Sequence, residues 1–232
     1  SNQNVSILEI KQKRGLSLDL AFDSKILQKT SDFGKQNNAL AALNGTFFDM
    51  ANGGSVDYIR ADGFVINENR LGKNGNRAGH QESALVFNRG KLSIEKWNGK
   101  QDWEQSLQGD DIMVSGPLLI LNQTAEKLDI LNSFNKTRHP RTAVAITKNK
   151  RILLITVDGR NENSAGMSLF ELTKLMRWLN AADAINLDGG GSTTLWISNY
   201  MQTGVVNFPT DNRKWDHDGE RKVANTVLLK KK

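Results

Sequence analysis

The segment AINLDGGGSTT (residues 184–194) places a carboxylate at the end of an apolar run, directly before three glycines and three hydroxyl side chains. A tight turn needs one or two glycines, and each further one costs up to about 1 kcal/mol in ordering the chain. Gly189, Gly190 and Gly191 therefore point to backbone amides gathered around an anion, with Ser192 and Thr193 as added hydroxyl donors. No lysine follows the glycines, which removes a Walker A loop, and their spacing does not fit a dinucleotide fingerprint. What is left is a phosphate or carboxylate cradle beside a buried acid, Asp188.

Two other apolar runs end alike: ALAALNG at Asn44-Gly45 and LLITVDGR at Asp158-Gly159-Arg160. Taken singly, each corner reads as a tight turn, since Asn-Gly and Asp-Gly are common turn pairs. Taken together, they bring polar side chains to the ends of buried strands, where glycine lets a ligand approach closely. RHPRTAVAI adds Arg141 at the start of a strand, a forked and permanently charged donor suited to phosphate. Arg141, Arg160 and Arg221 either meet such an anion or pair with Asp158 and Asp188; residue types alone leave both open.

The histidines carry less. His80, His139 and His217 lack metal-ligand spacing, so no zinc site is expected. His80 stands near Glu82 in GHQES, a pair able to enter a site, although a surface position is the expectation. DNRKWDHDGE does not follow the residue order of a calcium loop. No obligatory cofactor or metal is expected; calcium or magnesium held by aspartate and carbonyl oxygens is the alternative.

These corners need strands to position them. VSILEI and LSLDLAF alternate apolar and polar residues, as half-buried strands do. SALVF and KLSIEKW form a hairpin through Asn88-Arg89-Gly90, and RTAVAIT and RILLITV form another through Lys148-Asn149-Lys150. Residues 30–38 suit a surface helix. SLFELTKLMRWLN spaces Leu169, Leu172, Leu175, Met176 and Leu179 helically behind a Ser168–Glu171 capping box. That helix leads into the strand AINL, and ANTVLL returns to the sheet. Hairpins combined with a helix crossover predict an α+β fold with a mixed sheet, as one domain over residues 1–232.

Composition narrows the function. The net charge of +6 owes half its value to Lys230, Lys231 and Lys232, and no basic-aromatic interleaving appears, so nucleic acid is not an expected partner. There is no cysteine, which removes thiol chemistry and disulfides. No apolar stretch reaches the ~20 residues that span a bilayer, and SNQNVSILEI shows no signal peptide.

In order along the chain, ALAALNGTFFD, VSGPLLI, RHPRTAVAI, LLITVDGR, AINLDGGGSTT and VNFP…RKVANTVLL resemble the phosphodiester glycosidase domain family. The likeness runs from about residue 40 to 229. It departs at Thr46 and Ala145, where the family commonly has glycine. The resemblance implies a hydrolase that removes a sugar from a sugar-1-phosphodiester, with export to the periplasm or cell exterior. Its transition state resembles an oxocarbenium ion, so a carboxylate must act at the anomeric carbon. Asp188 is the first candidate, Asp158 the second and Glu82 the third. Arg141, Arg160 and Arg221 with the Gly189–Gly191 amides would neutralise the phosphate. Asn44, Asn186, Ser192 and Thr193 would hold sugar hydroxyls or phosphate oxygens. The alternative is a binding module for phosphorylated or acidic glycans, which keeps the arginines but does not need the carboxylates.

Overall fold

A computed structural model describes residues 2–11 and 15–232. The fold is α+β, as the patterning predicts: strands form a six-, a five- and a four-stranded sheet and a two-stranded ribbon, with short helices at their margins. The six-stranded sheet runs Val5–Lys11, Arg151–Val157, Arg141–Thr147, Ala181–Asn186, Leu118–Leu121 and Thr124–Ala125 in spatial order. The four-stranded sheet runs Leu195–Ile197, Ala41–Asn44, Asn225–Lys231 and Leu16–Phe22. Phe64–Asn67, Ile59–Ala61, Asp111–Val114, Ser83–Asn88 and Lys91–Lys96 make the five-stranded sheet.

Period-two alternation gives these sheets two apolar faces. Val144, Ile146, Leu154 and Ile185 turn inward to a core shared with Leu18, Leu20, Leu43 and Val227 of the four-stranded sheet. Leu85, Phe87 and Met113 of the five-stranded sheet complete it. Their neighbours Ala143, Ala145, Leu153 and Ile155 face the opposite way, onto Leu169, Leu172 and Met176 of the helix Leu169–Trp178. The capping box starts that helix: Glu171 N donates to Ser168 Oγ at 3.2 Å, and Ser168 N donates to Glu171 Oε2 at 2.9 Å. Both expected hairpins form. Arg141 pairs opposite Val157, and the Ser83–Asn88 hairpin turns on Arg89 and Gly90, with φ of 50° and 77°.

The mixed sheet does not form, because every described ladder is antiparallel. The helix does carry the chain between two strands that run the same way, Arg151–Val157 and Ala181–Asn186. Arg141–Thr147 lies between them and pairs antiparallel with both. The crossover is present and its parallel ladder is not. One consequence matters for chemistry: Asp158, Asp188 and Arg141 all emerge at one edge of the six-stranded sheet.

Candidate active site

The main chain of Asp188 is gripped from both sides. Its N–H donates to Gly45 O at 3.1 Å, and its carbonyl accepts from Asn44 Nδ2 at 2.7 Å. Asn44 Oδ1 accepts in turn from Thr142 Oγ1 at 2.8 Å and Thr194 N at 3.0 Å. Asn44, expected to hold a sugar, is instead a wholly buried bracket whose amide is already engaged. Asn186 behaves similarly: Nδ2 donates to Gly116 O at 2.8 Å and Leu187 O at 2.7 Å, leaving buried Oδ1 without a partner. Both asparagines brace the main chain around the turn.

The Asp188 side chain has the opposite character. It lies deep among protein atoms yet keeps partial exposure, and burial pushes its pKa up to about 6. The Ser192 hydroxyl, the Arg221 guanidinium and the Gly189 amide pull it down, while the Asp57 carboxylate adds to the rise. Ser192 Oγ and Thr193 Oγ1 are buried without a partner at hydrogen-bonding geometry.

The glycine turn is held by its own main chain and by Pro140. Gly190 N donates to Pro140 O at 2.9 Å, Ser192 N to Gly189 O at 3.2 Å and Thr193 N to Gly190 O at 3.3 Å. These bonds engage the Gly190, Ser192 and Thr193 amides, while the Gly189 amide bears on the Asp188 carboxyl. What the glycines supply is room. A Cβ on Gly189 would sit 2.6 Å from Pro140 O. One on Gly190, where φ is +61°, would sit 3.1 Å from Arg160 Nη2. One on Gly191 would sit 2.5 Å from Arg221 Nη2 and 2.6 Å from Asp211 Oδ1. Missing side chains let guanidinium groups press against the turn.

The three arginines differ in how they are held. Arg141 is buried with no carboxylate: Nε donates to Met167 O at 2.8 Å, and Nη2 to Phe134 O at 2.7 Å and Thr137 O at 2.9 Å. Its Cζ lies 4.7 Å from the Phe134 ring centre. Burial, then the nearby Arg160 charge, lowers its pKa to about 10. Arg160 is fixed by its backbone, with φ of 60° in the left-handed region that residues other than glycine seldom occupy. No ion pair engages Arg160 among the described residues. Arg221 pairs with Asp211, Nε to Oδ1 at 2.9 Å and Nη2 to Oδ1 at 2.6 Å. Cations thus border the Asp188 turn on two sides, and none is neutralised by Asp158 or Asp188 directly.

Asp158 does not join them. Its Oδ1 accepts from Asn207 Nδ2 at 2.9 Å and Phe208 N at 3.0 Å, and Oδ2 accepts from Asn4 Nδ2 at 2.7 Å. Burial raises its pKa against the opposing pull of these donors. Asn207 Nδ2 also donates to Thr193 O at 3.0 Å, so Asp158 anchors the segment that backs the glycine turn. The Asp158 carboxylate is thus enclosed and held on both oxygens by protein donors. Glu82 is also displaced, exposed at the end of the short turn Gly79–Gln81.

The acid that enters is one the sequence did not flag. Asp57 is completely buried, and its Oδ2 accepts from Thr46 Oγ1 at 2.8 Å. Oδ1 accepts from Gln81 Nε2 at 3.0 Å and lies 3.2 Å from His80 Nε2. His80, expected on the surface, has a side chain only 30% exposed and packs on Phe47 at 4.5 Å between ring centres. Phe47 meets Phe134 at 6.3 Å, which brings the histidine and the Arg141 wall together. An aspartate set among apolar residues in SVDYI was the one available signal; its partner 23 positions away follows no period.

Comparison with known proteins places the chain in a family. The mouse N-acetylglucosamine-1-phosphodiester alpha-N-acetylglucosaminidase is 26% identical over 179 residues, covering 74% of this chain and 33% of its own length. The chain therefore spans about a third of that relative. A solved structure of the zebrafish catalytic domain of the same enzyme, described as auto-inhibited by its pro-peptide, superposes with a TM-score of 0.71 at 19% identity. It covers 100% of this chain and 83% of that one. A hypothetical protein from Synechocystis matches at TM-score 0.71 and 15% identity, over 99% of this chain and 59% of that one, which shows the fold alone. The family model for phosphodiester glycosidases matches residues 37–230, and with that span the chain belongs to the phosphodiester glycosidase family.

Proposed function

We propose that this chain hydrolyses the bond between a sugar's anomeric carbon and a phosphate oxygen, with N-acetylglucosamine in α-phosphodiester linkage as the sugar. The observation that carries the reading is one deep, partly exposed carboxyl, Asp188, on a turn whose glycines admit the Arg160 and Arg221 guanidinium groups. As the bond to phosphate breaks, positive charge builds at the anomeric carbon and negative charge on the leaving oxygen. The Asp188 carboxylate faces the first, and Arg160 with Arg221 faces the second. Arg141, already bonded through three of its N–H groups, stiffens the phosphate wall. Donors fixed in place before the reaction stabilise such charge most effectively where bulk water is thinned. With a pKa near 6, Asp188 is ionised at pH 7, the form this role requires.

The test is Asp188→Asn assayed for sugar release from an N-acetylglucosamine-1-phosphodiester. The substitution should leave the fold intact and reduce turnover by roughly 100- to 10,000-fold. Activity retained within threefold rejects the assignment. A wild-type protein that binds the diester and never cleaves it would identify a glycan-binding module instead.

A further inference from the structure

We propose that His80 is a second catalytic residue, a general base whose Nδ1 takes the proton from the water that reaches the anomeric carbon, with Asp57 as its positioning residue. The inference rests on the hydrolase reading above and adds a group to it.

The geometry has four parts. His80 Nε2 lies 3.2 Å from Asp57 Oδ1, and Asp57 is fully enclosed, so the exposed part of the imidazole is the side away from that carboxylate. No described protein atom bonds to Nδ1, which is left for a ligand or water. The base role requires the tautomer with its proton on Nε2, toward that carboxylate, and Nδ1 as the acceptor. Asp57 is itself pinned by Thr46 Oγ1 at 2.8 Å and Gln81 Nε2 at 3.0 Å, so the ring has a fixed mount.

The same pieces tie His80 to Asp188. Thr46, which grips Asp57, follows Gly45, whose carbonyl receives Asp188 N at 3.1 Å. On the other flank, a Cβ on Gly116 would stand 3.1 Å from His80 Cα, and Asn186 Nδ2 holds Gly116 O at 2.8 Å. Asn186 lies two residues before Asp188, at the end of the same strand. Histidine and aspartate are thus tied to the same Gly45–Phe47 segment, His80 through Phe47 and Asp188 through Gly45. Asp57 is also close enough for its charge to act on Asp188.

The reaction then divides between two groups. Water's oxygen bonds to the anomeric carbon, and its proton passes to His80 Nδ1. The bond from that carbon to phosphate breaks, its electron pair stays on the phosphate oxygen, and a free sugar and a phosphomonoester leave. Asp188 opposes the positive charge at carbon and does not need to accept the proton. Asp57 stabilises the imidazolium until the proton returns to solvent, the orienting role a buried carboxylate plays behind histidine bases.

His80→Ala in the full chain tests this, assayed with N-acetylglucosamine-1-phosphodiester beside wild type and Asp188→Asn. We expect kcat to fall roughly 100- to 10,000-fold with KM within threefold, and added imidazole to restore at least tenfold of the loss. His80→Gln, which fills the site and keeps a donor toward Asp57, should be as slow and insensitive to imidazole; it carries the test if the alanine variant melts early. A kcat within threefold of wild type in a folded His80 variant overturns the proposal, as does a loss in His80→Ala that imidazole does not touch. If wild type itself releases no sugar, the hydrolase reading falls and this inference with it. An active wild type with an equally active His80 variant removes His80 alone.

Discussion

Two strand corners with the same pattern, an apolar run closed by Asp-Gly, meet opposite ends in this molecule. Asp158 and Asp188 leave co-directional strands on either side of Arg141–Thr147, at one sheet edge. At Asp158 three protein donors close on the carboxylate and leave nothing over. At Asp188 the protein closes on the backbone instead, through Gly45 and Asn44, and the carboxyl remains deep and reachable. What separates an anchor from a reactive group is where the surrounding donors point. Burial raises both acids, but only at Asp158 do neighbouring side chains and main chain hold the carboxylate on both oxygens.

Exchanging the two acids for asparagine is the largest test of that contrast. Asp188→Asn should lower turnover by about 3–5 kcal/mol in barrier, matching the 100- to 10,000-fold range above. Asp158→Asn should keep kcat within about tenfold at low temperature. Equal losses in the two variants would dissolve the distinction. Next in size, Arg160→Gln removes a charged donor that no described ion pair engages, worth roughly 1.5–3 kcal/mol, so KM for the diester should rise about 10- to 100-fold while stability is unchanged. Steady-state kinetics with a parallel melting curve reads both.

Stability should move the other way between the corners. The Asp158→Asn substitution would turn an N–H₂ group toward Asn4 or Asn207, and the clash of donors should cost about 1–3 kcal/mol in chemical denaturation. At Asp188 the folded pKa of about 6 exceeds the ordinary value of 3.8, so the folded state binds its proton more tightly than the unfolded state. Stability therefore falls as pH rises from about 4 through 6, and the cost is fully present above that. Asp188→Asn escapes it and should be up to about 3 kcal/mol more stable than wild type at pH 7.5, with the gap gone below pH 4. A gap that does not change with pH would contradict the burial described for Asp188. In wild type, sugar release should decline as pH drops through about 6, where Asp188 takes up its proton.

Local signals in the sequence carried the elements well. The Ser168–Glu171 box, the Arg89-Gly90 turn and the leucine spacing of Leu169 and Leu172 depend on residues within a few positions of one another, and all three are realised. Asp188 and Arg160 were legible because strand ends with glycine sit at a sheet edge by construction. Asp57 and His80 were not, since their pairing joins loops by a side-chain contact that no periodicity announces. The triple glycine was legible as an anomaly, but the room its missing Cβ atoms give to Arg160 and Arg221 was not, because those arginines arrive from distant segments. Asn44 and Asn186 show the same limit, because whether an amide faces a ligand or a carbonyl is settled by segments far off in the chain.

The strand Asn225–Lys231 lies inside the four-stranded sheet, between Ala41–Asn44 and Leu16–Phe22, and its Lys230 reaches an aspartate 211 positions earlier at 2.9 Å. A ribosome delivers that strand after every other strand of the sheet, so Leu16–Phe22 and Ala41–Asn44 wait unjoined while the intervening segments are made. Closing such distant partners is slow, and the apolar faces of Leu18, Leu20 and Leu43 stay open to wrong associations meanwhile. Asn225 also supplies the acceptor for Thr46 N at 2.7 Å, beside the Asp57 mount. The frame around Asp57 is thus completed late in synthesis, with the same insertion that seals the interior.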